Sequence, residues 1–409
     1  MRLKDLVNIN TSSLPENTEN SYVFKYIDIS SISSDGEICS DEYFTFYDAP
    51  SRARRIVKKG DILVSTVRTY LMAIAPICFD AKDVIASTGF AVCTPKNNIN
   101  SEYLTYAIKN SSVIDDICKE STGVSYPAIT ASRLSSINIP YANNEDQKTI
   151  SDYLNEKIAE IDEQISLLNQ KLMAYQRLKN SLISDVVRRG LNKNVTLKNS
   201  GVDWIGEIPA HWKVKRIKDV AELGSGTTPK SSNEKYYDDG IHPWLITGDV
   251  QNKLIESNDN FITDLALAEI PNLKLYPSKT VLLAMYGGGT IGNVGLMTYP
   301  AYINQACCAM VPKPIIFEKY LYYYLLTKQE RIVSTGVGGT QINLSQNKIS
   351  AYPISIPPLE EQQAIADYLD KKTTEIDNNI SLINRKVKTY KLLKQSLIDE
   401  VVTGKRKTN

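Results

Sequence analysis

Gln147-x-x-Ile150-x-Asp152-Tyr153-Leu154, continued by Ile161-Asp162, Ile165-Ser166-Leu167, Asn169, Lys171, Tyr175, Leu178-Lys179, Ser181-Leu182-Ile183 and Val186-Val187, is the stretch whose reading decides the fold. Adding 215 to each number returns the same residues: Gln362, Ile365, Asp367-Tyr368-Leu369, Ile376-Asp377, Ile380-Ser381-Leu382, Asn384, Lys386, Tyr390, Leu393-Lys394, Ser396-Leu397-Ile398 and Val401-Val402. A gapless match of this density is an internal repeat.

Inside the repeat the apolar residues step by four and three. Leu154, Ile158, Ile161, Ile165, Leu168, Leu172, Tyr175, Leu182 and Val186 form one seam, and Leu369, Ile376, Ile380, Ile383, Val387, Tyr390, Leu397 and Val401 form the other. This is the core pattern of a coiled coil, with no internal Gly or Pro. Each copy predicts a helix of about 40 residues, on the order of 60 Å long. Both seams are interrupted at one place, by Lys179 and Lys394, and the second also at Thr373. A lysine at a core position can fix register or touch a third partner, but the favoured expectation for each is that its stem lies along the seam and its ammonium reaches water. Two such helices can bury each other's seams. Connectivity makes them antiparallel, because the second starts where the second globular segment ends and must run back. The expected molecule is a rod with a globular domain near each end and approximate two-fold symmetry.

The chain of 409 residues has room for two or three domains. Hydrophobic residues at 42% and charged residues at 23% are ordinary for a soluble protein. No apolar run approaches the ~18 residues of a membrane span. The start, Met1-Arg2-Leu3-Lys4-Asp5, lacks the apolar core of a signal peptide, so a cytoplasmic location is expected. Six cysteines without CxxC spacing and only His211 and His242 argue against a zinc site and for reduced thiols. A net charge of +1 neither announces nor excludes a nucleic-acid partner, because acidic helices can mask basic faces elsewhere.

The globular segments repeat more loosely. Arg2-Leu3-Lys4-Asp5-Leu6 resembles Arg216-Ile217-Lys218-Asp219-Val220, and Ser121-Thr122-Gly123-Val124 recurs as Ser334-Thr335-Gly336-Val337. The plan is therefore globular, helix, globular, helix: residues 1–142, 143–190, 191–357 (with a leading linker) and 358–403, then a basic tail, 404–409. Helices that stay alike meet a shared constraint, whereas globular parts that drift apart suit readers of different things. The fold class is α+β. Strands are expected at Tyr22–Ile27, Asp61–Val67, Phe90–Cys93, His242–Ile246, Thr280–Met285 and Ala306–Val311, with one helix near Glu102–Lys119 and another near Phe317–Val333.

No motif for catalysis stands out. There is no P-loop, no dinucleotide fingerprint, no methyltransferase tetrad and no persuasive nucleophile–His–acid set, and no metal or cofactor is expected. Gly224-Ser225-Gly226-Thr227 and Gly287-Gly288-Gly289-Thr290 read as tight turns or as points of close backbone approach. What remains suits binding. Arg52, Arg54, Arg55, Lys58 and Lys59 form a basic run before a strand; singly they read as a solvated loop, together they suit phosphate neutralisation. Arg68, just past a strand, can meet guanine with both its nitrogens. Gly123-Val124-Ser125-Tyr126-Pro127 and Gly338-Gly339-Thr340-Gln341-Ile342-Asn343 occupy equivalent places, where Gln341 and Asn343 either read adenine edges or bond their own turn. Tyr70, Ser125, Tyr126, Lys230, Tyr286, Thr290 and Thr340 complete the candidate DNA-contact set. Arg188 and Arg189 have a plainer role at the end of the first helix, where cations satisfy its dipole.

At this point the residues resemble a known family. The order of segments, Trp204-Ile205-Gly206-Glu207-Ile208-Pro209-x-His211-Trp212, Ser87-Thr88-Gly89-Phe90, Gly123–Ile129, and Ile356-Pro357-Pro358-Leu359-Glu360-Glu361-Gln362 look like the DNA-specificity subunit of Type I restriction–modification systems. The resemblance implies two target-recognition domains, each reading one half of a bipartite, gapped site in double-stranded DNA. It implies that the paired helices act as spacer and as docking surface for two methyltransferase subunits, through which restriction–translocase subunits join. It implies a non-catalytic role without cofactor or membrane. The first half departs from the pattern, lacking the Trp-Ile-Gly-Glu-Ile-Pro lead-in and starting its long helix from Ile139-Pro140-Tyr141-Ala142. Two other readings compete: a restriction endonuclease with its own active site, and a coiled-coil adaptor with two protein-binding heads.

Overall fold

The computed structural model describes residues 1–33, 36–96, 98–338 and 342–408. Two compact units make up the chain, residues 1–170 with 383–409, and residues 171–382. Two long helices, Asn144–Arg189 and Leu359–Val402, of 46 and 44 residues, each give one half to each unit. Gly190, at φ 73°, ends the first in the left-handed conformation that a helix C-terminus favours.

In the first unit a four-stranded antiparallel sheet runs in the order Val7–Ile9, Phe90–Pro95, Ile62–Ser65, Ile74–Pro76. A second sheet is ordered Tyr43–Thr45, Val23–Ile27, Val84–Ser87, Ala53–Ile56, its central pair parallel. The strand Ile62–Ser65 is buried at every position, facing one core with Ile62 and Val64 and another with Leu63. The expected single helix after the sheet is two, Ser101–Ile108 and Ser111–Lys119. Asn110 breaks it, taking extended backbone and accepting the Ser112 N–H as an N-cap.

The second unit rebuilds the first sheet as Ala221–Ser225, Cys307–Pro312, Val281–Ala284, Val294–Met297, and adds a parallel edge, Lys253–Ile255. The expected Phe317–Val333 helix is likewise broken, into Glu318–Leu326 and Gln329–Val333. In the first of these Tyr320, Tyr322, Tyr323 and Tyr324 are all buried, which leaves that turn without a solvent face.

The long helices pack on each other inside each unit. In the first unit Leu154, Ile158 and Ile161 share a core with Leu397, Ile398 and Val401; in the second, Ile183, Val186 and Val187 share one with Ile365 and Leu369. Rising numbers on one helix meet falling numbers on the other, so the packing is antiparallel in both. Ile165, Leu168, Leu172, Tyr175, Leu182, Ile380, Val387 and Tyr390 are half-buried, while Ile376 and Ile383 are buried. The half-buried run reflects a seam with a helix on one side only.

One expectation is corrected. Lys179 and Lys394 do not simply reach water. Lys179 Nζ lies 2.7 Å from both carboxylate oxygens of Asp377, and Lys394 Nζ lies 2.7 Å from both of Asp162. The two pairs are images of each other under the repeat, since 179 + 215 = 394 and 162 + 215 = 377. Each ammonium satisfies itself across the seam, which pins the register of the pair.

The repeated glutamines do equivalent work. Gln147 and Gln362 are wholly buried. Gln147 accepts the Asn100 N–H (2.9 Å) and donates to the Ala142 carbonyl (2.9 Å). Gln362 accepts the Phe317 N–H (2.8 Å) and donates to the carbonyls of Pro357 (2.9 Å) and Ile315 (3.1 Å). Each glutamine thus fastens the start of a long helix to the first turn of a domain helix, where backbone donors have no helical partner.

Candidate nucleic-acid interface

In the first unit two loops are fused into one platform. One follows the strand Ile62–Ser65; the other is the 122–128 turn. Val67 and Thr122 both bridge to Ala128, Ile129 N–H donates to the Thr66 carbonyl (2.9 Å), and Arg68 N–H donates to the Pro127 carbonyl (2.7 Å). Thr69 and Ser121 share a hydroxyl hydrogen bond of 2.9 Å. Arg68 sits at φ 51° and Met72 at φ 50°, left-handed conformations that cost a non-glycine residue about 1 kcal/mol or more. Surrounding bonds hold them there. The Arg68 guanidinium stacks over the Tyr126 ring at 4.6 Å. Arg68, Tyr70, Ser125 and Tyr126 are exposed together on this platform, with Val124 fully exposed beside them.

The basic run behaves differently from the solvated loop expected. Ala53–Ile56 is itself a strand, with an irregularity between Ala53 and Arg55. Arg54 is half-buried, donating to the Ala53 carbonyl and lying 4.8 Å over the Phe46 ring. Arg55 donates to Ser13, while its Nε is buried without a partner. Arg52 is exposed, and its carbonyl accepts from Thr88 N–H in the turn whose Gly89 carbonyl accepts from Thr66. That turn ties Arg52 to the Arg68 platform. Lys58 lies at the opposite end of the Ile62–Ser65 strand and is not brought to it.

The second unit repeats the platform with other residues. Leu344 N–H donates to the Met285 carbonyl (2.9 Å), the counterpart of Ile129 and Thr66, and Val337 and Asn343 exchange backbone bonds of 3.0 Å. Asn343 thus bonds its own turn through its backbone. Gly287 holds φ 120°, and a side chain there would meet Thr290 Oγ1, which is buried without a partner. Burial pushes the Tyr286 phenol up, and a hydrogen bond from Gln305 partly offsets it. Gln305 also bonds the Thr228 hydroxyl, so it joins Tyr286 to the loop that ends in exposed Lys230. Gln305 carries no local sequence signal. Thr340 and Gln341 lie outside the described residues.

Burial pushes the Cys93 and Cys308 thiols up to about 12, so neither is a thiolate near neutrality. His211 bonds Glu361 at 2.8 Å, and Trp212 Nε1 donates to the same carboxylate at 3.2 Å, which closes the indole over the end of the first long helix.

A family model described as the Type I restriction modification DNA specificity domain matches residues 1–171 and again residues 209–387. The chain belongs to the Type I restriction–modification DNA specificity family. Membership makes it a DNA specificity subunit, the non-catalytic member of such systems. Among curated relatives, the Type I restriction enzyme MjaVIII specificity subunit of Methanocaldococcus jannaschii is 25% identical over 80% of this chain and 75% of its own. The MjaIX specificity subunit of the same organism is 33% identical, over 44% of each chain, so that match spans less than half of either. Among solved structures, a chain from work on complex assembly and conformational transition of a Type I system superposes with a TM-score of 0.78. It is 22% identical and covers 99% of this specificity subunit and 97% of its own chain, a likeness of fold. Among the described residues of the subunit, no helix is long and apolar enough to cross a membrane.

Proposed function

We propose that each platform reads one half of a gapped site in double-stranded DNA, and that the long helices set the number of base pairs left unread between the halves. The observation that carries this is a shared backbone arrangement that occurs twice with different tips: Arg68, Tyr70, Ser125 and Tyr126 on one, Tyr286, Val337 and Asn343 on the other. Similar scaffolds with unlike tips suit a two-part, asymmetric target, because base edges are told apart by the side chains presented to them. Arg52 and Lys230 lie beside the tips as phosphate contacts.

Two methyltransferase subunits dock on the helix pair, and restriction–translocase subunits join through them. Exposed leucines related by the repeat support this: Leu167 with Leu382, and Leu178 with Leu393, each about half exposed. Apolar residues kept exposed at equivalent places suit two copies of one partner.

The test is the methylome of a host carrying the complete system. A gapped motif is expected. Replacing residues 191–357 with those of a relative changes one half of the motif and leaves the other; an unchanged motif, or binding indifferent to sequence, refutes the reading.

A further inference from the structure

Two cations of the second unit lie over one indole, and a third stands close to one of them. Lys328 Nζ lies 5.5 Å from the Trp204 ring and 5.7 Å from the Tyr324 ring, and Arg331 Cζ lies 5.9 Å from Trp204. The Tyr352 ring packs against the same indole, tilted by 36° with its centroid 4.9 Å away. Arg188, in the last turn of the first long helix, is near enough to Lys328 that its charge adds to burial in lowering the lysine's pKa. Among the described residues the one carboxylate within 4 Å of these three is Asp185, 3.9 Å from Arg188 and well exposed on the same helix. Arg188 Nε and Tyr352 Oη are both buried and lack a hydrogen-bond partner among the described residues.

Physically the cluster is incomplete. Aromatic faces offset only part of the mutual repulsion of three like charges. Buried donors left unpaired are costly. One anion would answer both. We infer that Arg188, Lys328, Arg331 and Tyr352 form a phosphate-binding site, and that its ligand is a backbone phosphate of the DNA read by the second unit. The inference rests on the DNA reading above. A guanidinium fork, a point charge and a phenol hydroxyl supply donors of several kinds, which suits a tetrahedral anion better than a two-oxygen carboxylate. The placement favours DNA as its source. Lys328 precedes, and Arg331 belongs to, the helix Gln329–Val333, which ends four residues before Val337, the partner of Asn343. Val333 of that helix also packs against Gly292, at the end of the glycine-rich loop. The cations and the reading tips therefore share one support.

The experiment uses the full chain assembled with its methyltransferase partner, on a duplex bearing its methylated motif and on a scrambled duplex. Affinity is followed by fluorescence anisotropy from about 50 to 200 mM salt. Lys328→Gln with Arg331→Gln is expected to make the log–log salt slope shallower by about 2 on both duplexes, roughly a tenfold smaller loss of affinity across that range. The preference for the motif stays the same. If the unmodified complex prefers its motif but the double variant keeps the full slope, the phosphate site is overturned and the DNA reading stands. If the unmodified complex shows no preference, the DNA reading itself fails. Melting of the full chain separates binding from packing. In phosphate-free buffer the double variant should melt no lower than the parent, since repulsion is relieved, and inorganic phosphate should raise only the parent. A lower melting point would mark the cations as packing groups and overturn the site. Stabilisation by phosphate with an unchanged DNA slope, or by polyglutamate and not phosphate, would overturn the backbone assignment.

Discussion

Removing Asp162 takes away the carboxylate that the Lys394 ammonium meets across the helix seam. The Lys394 side chain is 16% exposed and Asp162 is 48% exposed, so the pair is shielded on one side only. Fully exposed pairs contribute about 0–1 kcal/mol, and hydrogen bonds to charged groups about 1.5–3 kcal/mol. A pair screened on one side belongs between, so Asp162→Ala is expected to cost about 1–2 kcal/mol. Lys179 is 30% exposed, and Asp377→Ala should therefore cost less. The chain has two units and will not unfold in one step, so local opening is the proper observable. Native-state hydrogen exchange of amides from Ile158 to Ile165 should speed up by about tenfold in the Asp162→Ala variant. The charge exchange Asp162→Lys with Lys394→Asp should recover most of the protection, with a coupling near 1 kcal/mol. No coupling, or equal coupling in a mispaired control that exchanges Asp162 with Lys179, refutes the register argument.

Ile165→Asp with Ile380→Asp places two carboxylates in the apolar seam and should lower helix content by circular dichroism and abolish assembly with the methyltransferase; unchanged helicity and assembly would sink the seam assignment. Trp212→Ala removes a wholly buried indole and should destabilise the second unit by about 3–5 kcal/mol, read as a lower urea midpoint of that unit. Tyr103 and Tyr106, raised by burial to about 12, carry stability that is complete below the free phenol value near 10 and is lost as pH rises toward 12. Alkaline unfolding of the first unit should thus begin above about pH 10, with phenolate absorbance and helix loss rising together; full phenolate absorbance with helix intact would contradict it. Leu167→Asp with Leu382→Asp should leave the isolated chain folded and weaken methyltransferase capture in a pull-down, whereas undiminished capture would move the docking surface elsewhere.

The sequence showed the repeat because a helix seam is a local, periodic pattern, and antiparallel packing followed from connectivity. It also placed Asp162 and Asp377 within the repeat, yet their partnership with Lys394 and Lys179 joins residues over two hundred positions apart, which periodicity does not register. The broken domain helices were missed for opposite reasons. Asn110 is a cap in a short polar break, Lys109 to Ser112, that also fits the outer face of one continuous helix, and the four tyrosines hide the period of the other helix. Arg52 to Arg55 read as loop because charge outweighed the β-branched and apolar flanks of a four-residue strand. The Arg68 platform was legible as two candidate loops but not as one surface, since the bonds that fuse them are backbone bonds. Lys328 and Arg331 went unnoticed for the same reason: only folding brings Trp204 and Arg188 to them.

Each compact unit takes in part of both long helices, and this has a consequence during synthesis. The second unit is one unbroken run, residues 171–382, and is complete once those residues leave the ribosome. The first unit needs residues 383–409 as well: Leu397, Ile398, Val401 and Val402 lie in the same core as Leu3 and Leu6, and Asp399 accepts hydrogen bonds from Asn110 and Ser111. The amino-terminal domain is therefore the later of the two to mature. A premature stop near residue 390 would spare the second unit and leave the core of the first open, although residues 1–170 would all be present.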